Sequence, residues 1–107
     1  MSTKKKYGLK DLAKRLGPMT VGSFLRSWRM SEGFTQREFA ERLKMSAANL
    51  CDIEQGRKGI SVEKAEEIAR IIGYSPAVLI ELALTDQVRE AGLSYNISVK
   101  PTRSRAC

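Results

Sequence analysis

Between Thr20 and Gly92 the apolar residues recur at helical spacing in five short runs, most of them bracketed by a residue that starts a helix and one that stops it. Val21, Phe24, Leu25 and Trp28 fall at i, i+3, i+4 and i+7 behind Thr20, a suitable N-cap, and Gly33 closes that run. Thr35 and Glu38 form a T-x-x-E capping box, in which each side chain satisfies an otherwise unpaired amide, and Phe39, Ala40 and Leu43 follow as an inward face. Ser46 can cap a third helix with Leu50 and Ile53 inward, ended by a loop bracketed by Gly56 and Gly59. Ser61 caps a fourth, carrying Val62, Ala65, Ile68, Ala69 and Ile72 on one stripe, with Gly73 as its stop. Ser75 and Pro76 open a fifth, because proline at the first helical position loses no hydrogen bond; it runs through Val78, Leu79, Leu82 and Ala83 to Val88 and ends at Gly92. Little besides an all-α domain can be built from such a chain.

After Gly92 the period changes to two. Tyr95, Ile97 and Val99 alternate with Asn96, Ser98 and Lys100, which predicts one C-terminal β-strand over 94–100. No second strand pattern exists to pair with it, and a lone strand is unstable. It is therefore expected to pair with its own copy, to add to another protein's sheet edge, or to stay an extended tail. The expected organisation is a basic N-terminal arm with a short helix or arm over 9–16 (residues 1–19), a helical body (20–84), and a helix extension, strand and disordered tail (85–107).

Composition removes several classes of function. The chain has no histidine, hence neither the commonest general base nor the commonest metal ligand. Cys51 and Cys107 lie far apart without a CxxC spacing, so neither zinc nor a thiol nucleophile is expected, and two isolated thiols suit a reducing compartment. Glu63, Glu66 and Glu67 read as a solvated helix face rather than a paired-carboxylate site. No enzyme, metal or cofactor is expected. No apolar run is long enough to span a bilayer, and Asp11 and the surrounding lysines interrupt any signal-peptide core, so a cytoplasmic protein is expected. The net charge of +7 sits in the ends: residues 1–19 carry +5, residues 20–84 are neutral, and residues 85–107 carry +2. Basic ends flanking a neutral body suit a polyanion, and equally a solubilising role.

The spacing of the second and third runs predicts two short helices, 36–43 and 47–54, joined by the turn Lys44-Met45-Ser46. That is the format of a helix-turn-helix, whose second helix enters the major groove of DNA. The inward face of 47–54 is narrow, leaving Ala47, Ala48, Asn49, Cys51 and Asp52 free to approach base edges.

The run TQREFAERLKMSAANLCDIEQGRK resembles the helix-turn-helix of the Cro and lambda-repressor family, also called the xenobiotic-response-element family. The resemblance rests on Thr35-Gln36, Ala40, Leu43, Ser46, Leu50 and Ile53-Glu54-x-Gly56-Arg57, and extends over residues 20–84. Lys44 departs from it, standing where the family usually has glycine in a left-handed turn, with strain on the order of 1 kcal/mol. The resemblance implies a lambda-repressor-like domain with Ala47, Ala48, Asn49 and Asp52 as base readers. Asn49 could bond adenine in bidentate fashion, the alanines pack on thymine methyls, and Asp52 accept from cytosine or repel phosphate. Gln36, Arg37, Ser46, Arg57 and Lys58 are the candidate phosphate contacts, with Arg42 and Lys44 as further ones. The resemblance also implies an ion pair between Arg29 and Glu54.

An earlier stretch, LKDLAKRLGPMTVGSFLRSWR, resembles the helix-turn-helix of the lactose-repressor family. Its second half carries a wide apolar face including the single tryptophan, which belongs in a core, so 20–32 is expected to be scaffold. Lys4, Lys5 and Lys6 are candidates for a DNA-reaching arm. The expected function is a sequence-specific regulator, a repressor binding an inverted repeat of double-stranded DNA as a homodimer through Leu79, Leu82, Ala83 and Val88 or through Tyr95, Ile97 and Val99. The alternative is an antitoxin that neutralises a small toxin protein through its C-terminal strand and autoregulates its operon.

Overall fold

The computed structural model describes residues 19–102. Among them are five α-helices: α1 (Val21–Ser31), α2 (Gln36–Arg42), α3 (Ala47–Glu54), α4 (Val62–Ile72) and α5 (Pro76–Glu90). Each begins where the sequence places a cap. Thr20 and Thr35 make reciprocal capping boxes with Ser23 and Glu38, while Ser46 and Ser61 accept from the amides of Asn49 and Lys64. Ser75 makes no side-chain cap, and Pro76 starts α5 without one. The basic arm, the expected helix at 9–16, Cys107 and the tail beyond 102 lie outside the described residues.

The helices end alike. A residue with positive φ follows each of them, and the next amide reaches back five residues, as in Phe34 N to Arg29 O and Met45 N to Ala40 O. Four of these residues are glycines; the fifth is Lys44, at φ 61°. The left-handed turn expected at Lys44 is present, held by Lys44 N donating to Glu41 O and Met45 N to Ala40 O.

The core is one cluster to which every helix contributes: Val21, Phe24 and Leu25 from α1, Phe39 and Ala40 from α2, Leu50 and Ile53 from α3, Ala65, Ile68 and Ala69 from α4, Leu79, Leu82 and Ala83 from α5. Trp28 is half-buried, stacked on Phe39 with ring centroids 5.4 Å apart, so α1 is scaffold as its apolar face requires. α4 packs along α5, α2 against α3, and α1 crosses α3 and touches α5. The crossing is close because of Gly22, which is buried with its Cα against the Ile53 carbonyl.

The C-terminal strand is not there. Residues 93–102 carry no strand, and among the described residues no strand exists elsewhere. The chain turns at Gly92 and runs back along α5, where the Val99 amide donates to the Glu81 carboxylate at 3.2 Å. Ile97 and Val99 are half-buried while Tyr95 stands 68% exposed. An extended segment lying on a helix buries alternate side chains just as a strand does, so the period of two did not distinguish them.

Asp86 of α5 fastens the start of α1, its Oδ2 accepting from Val21 N at 3.0 Å. Its Oδ1 is buried without a hydrogen-bond partner, with Arg89 3.7 Å away. Burial pushes the carboxyl pKa up, opposed by the Val21 amide and Arg89 and abetted by Glu90. The folded chain therefore holds this proton more tightly than the unfolded chain. Asp86 contributes stability that is fully present at pH values below its unfolded pKa and is lost as pH rises through the folded one. An Asp86→Asn variant keeps an acceptor for Val21 and should remove that part of the pH dependence. Thermal melts of both proteins across the acidic range test this: parallel curves of Tm against pH would exclude it.

Candidate nucleic-acid interface

α3 is held from behind. Leu50 and Ile53 enter the core, and the Glu54 side chain is fully buried under α1. Arg29 Nε and Nη2 donate to the two Glu54 oxygens at 2.8 and 3.1 Å, and Arg29 Nη1 donates to Phe34 O at 3.0 Å. This is the ion pair implied by the resemblance, in the two-pronged geometry that suits guanidinium and carboxylate. Gln36 Nε2 adds a third donor to Glu54 at 3.0 Å. The Gln36 side chain, a candidate phosphate contact in the sequence, is thus occupied in fastening α2 to the end of α3.

The opposite flank of α3 faces solvent. Ser46, Ala47 and Ala48 are exposed, and Asn49, Cys51 and Asp52 are partly so. The Ser46 hydroxyl accepts from Asn49 N at 3.0 Å, which places the candidate phosphate contact at the helix cap. Lys44, Met45, Ser46, Ala48, Asn49, Asp52, Lys58 and Lys64 line one shallow hollow on this flank. Three lysines and a single acid therefore surround the candidate reading residues, although residues 20–84 as a whole are neutral.

Arg57 and Lys58, in the turn after α3, lie across the flank. Arg57 Nε donates to Asp52 Oδ1 at 3.0 Å with Nη2 at the same distance and directed to the Cys51 sulfur, an ion pair that holds the guanidinium still more firmly protonated. Lys58 Nζ donates to Asn49 Oδ1 at 2.6 Å. The candidate base readers and phosphate contacts are thus brought together as two bonded pairs. Arg37 is exposed on α2, and Arg42 lies over the Phe34 ring, 4.7 Å from its centroid.

Two lining residues had no signal in the sequence. Lys64 belongs to α4 and reaches the hollow with its Nζ 3.4 Å from Leu43 O, and Met45 meets Asn49 Nδ2 through its sulfur at 3.7 Å. Only the packing of α4 beside the α2–α3 turn places Lys64 there. The sequence's contact candidates on α5 divide differently: Leu79 and Leu82 lie in the core, whereas Val88 is half-buried at the surface near the exposed Leu93 and Tyr95.

Among the described residues no helix is long and apolar enough to cross a membrane, and no group of three or more potential ligands could hold a metal ion. A short helix fastened by its rear face, following a tight left-handed turn and presenting small and polar residues beside lysines, defines a helix-turn-helix DNA-binding domain. A family profile described as a helix-turn-helix domain covers residues 20–82, well over half of the chain, and the protein belongs to that family. No curated protein and no solved structure gives a significant match.

Proposed function

We propose that the protein is a sequence-specific transcription regulator of the Cro and lambda-repressor type, and that it acts by laying α3 in the major groove of an operator. The observation that carries this reading is the two-sidedness of α3. Leu50, Ile53 and Glu54 are buried behind it, while Ala47 and Ala48 stand exposed at its start with Asn49 beside them. Small residues at the tip let a helix approach base edges closely, and the alanine methyls can pack on thymine methyls. Arg37, Lys44, Arg57, Lys58 and Lys64 supply the phosphate contacts that set register and add salt dependence.

A repressor of this form binds as a homodimer on an inverted repeat, with the two copies of α3 about 34 Å apart in successive major grooves. Val88, Leu93 and Tyr95 support the dimer, as apolar surface beside α5 and at a distance in sequence from the reading face. The antitoxin alternative drew its support from a C-terminal strand; residues 93–102 form none, and that support is gone.

A mobility-shift titration against the DNA upstream of its own gene tests the assignment. An Asn49→Ala, Arg57→Ala double variant should bind at least ~30-fold more weakly than the wild type, with a salt slope reduced by about one. Equal affinity and equal salt dependence for both proteins would remove the proposed interface.

A further inference from the structure

We infer that the reading face of α3 selects guanine, through a bonded pair of Asn49 and Lys58 that offers hydrogen-bond donors and sets a positive charge against its one acceptor atom. The inference rests on the DNA-binding reading above and specifies the base it recognises. An ammonium group has only donors, so the 2.6 Å bond from Lys58 Nζ must end on the Asn49 amide oxygen. That bond fixes the orientation of the amide. Its NH2 group is left with only the weak 3.7 Å contact with the Met45 sulfur.

Bidentate recognition of adenine by asparagine needs the opposite arrangement, an oxygen free to accept from N6 and an NH2 to donate to N7. Here the oxygen already accepts from Lys58, and a positive charge stands beside it, which opposes the approach of the adenine amino group. Amino hydrogens facing an ammonium group repel. Guanine presents N7 and O6, two neighbouring acceptors, to the same edge. The Asn49 NH2 and the remaining Lys58 hydrogens match that pair in number and sign.

A second bonded pair points the same way. Asp52 is the other acceptor on this flank, and recognition of the cytosine amino group would fall to it. Its Oδ1 accepts from Arg57 Nε at 3.0 Å with Nη2 equally near, so a guanidinium stands beside the carboxylate while the bond leaves Oδ2 untouched. The turn after α3 thus sets a cation beside each acceptor, and the hollow adds Lys44 and Lys64 to its lining. Lys58 and Arg57 are specificity-determining residues in this scheme as well as phosphate neighbours.

The test is selection of bound duplexes from a random pool by the full-length protein, followed by titration of the selected site and its base substitutions. The expected site carries a guanine whose N7 methylation blocks binding. Exchange of that base pair for adenine-thymine should weaken wild-type binding by ~10-fold or more. Asn49→Ala should remove the preference at that position. Lys58→Met, a change at an exposed side chain, should cut the guanine preference to ~3-fold or less and admit adenine, because the amide oxygen is released. Adenine at the Asn49-dependent position in wild-type sites would overturn the inference. So would a Lys58→Met protein that binds every duplex more weakly by one factor with its guanine preference intact. If the wild type enriches no duplex at all, the DNA-binding reading itself fails, and this one with it.

Discussion

An Arg29→Ala variant is expected to lose about 3–5 kcal/mol of folding stability, because it strands a buried charge. The Glu54 side chain has no exposed surface, and two of its three hydrogen bonds come from Arg29. After the truncation only Gln36 would still donate to it. The intact pair owes its geometry to the fork of the guanidinium, so Arg29→Lys should recover part of the loss and no more. Replacing both members by apolar residues, as in Arg29→Met, Glu54→Leu, removes the stranded charge and should restore most of the stability. Urea unfolding monitored by circular dichroism measures all of these. For a domain of this size a loss of 3 kcal/mol lowers Tm by well over 10 °C, roughly 4–8 °C per kcal/mol. A single variant with wild-type stability would show that the ion pair does not secure α3. DNA binding should fall with folding in the single variant and return in the double one, since neither residue lies on the exposed flank.

Gly22→Ala is expected to be damaging as well, by about 2 kcal/mol, and two effects compete for its sign. Alanine is the better helix former by up to about 1 kcal/mol. Against that, a Cβ at position 22 would press into the carbonyl oxygen of Ile53, with the Ile53 carbonyl carbon and the Glu54 carbonyl oxygen close behind. Overpacking of this kind costs about 1–3 kcal/mol, and the upper end applies because backbone cannot rotate out of the way. The crossing term wins. Gly59→Ala is the control, since a Cβ there meets nothing within 4 Å and its change should stay within about 0.5 kcal/mol. Thermal melts of the two variants separate the explanations: a Gly22→Ala protein more stable than the wild type would mean that α1 and α3 do not cross this closely. The same displacement would move α3 outward at its C-terminal end, so DNA affinity should drop in this variant even at temperatures where it remains folded.

Much of the fold was legible because it is written in local chemistry. Thr35 and Glu38 specify the start of α2 within four residues of chain, and Pro76 sets the start of α5 alone. Gly33, Gly56, Gly73 and Gly92 sit where positive φ is needed, and Lys44 was identifiable as the exception from the spacing of the family resemblance. The segment over 94–100 was not legible. Its alternation states which side chains are buried, and says nothing of what buries them; the Glu81 carboxylate and α5 took the place of a partner strand.

The candidate site divides along the same line. That α3 would turn Leu50 and Ile53 inward and Ala47 and Ala48 outward follows from a period of 3.6 residues, and the sequence alone determined it. Which hydrogen bonds its polar residues make was decided only by the tertiary structure. Gln36 reaches Glu54 across 18 residues, Lys58 reaches Asn49 across nine, and Lys64 arrives at the hollow from another helix. Helical periodicity sets direction about one axis. Pairing between side chains depends on how separate axes and turns are placed against one another, which is settled by the packing of Gly22 on Ile53 and of α4 beside the α2–α3 turn.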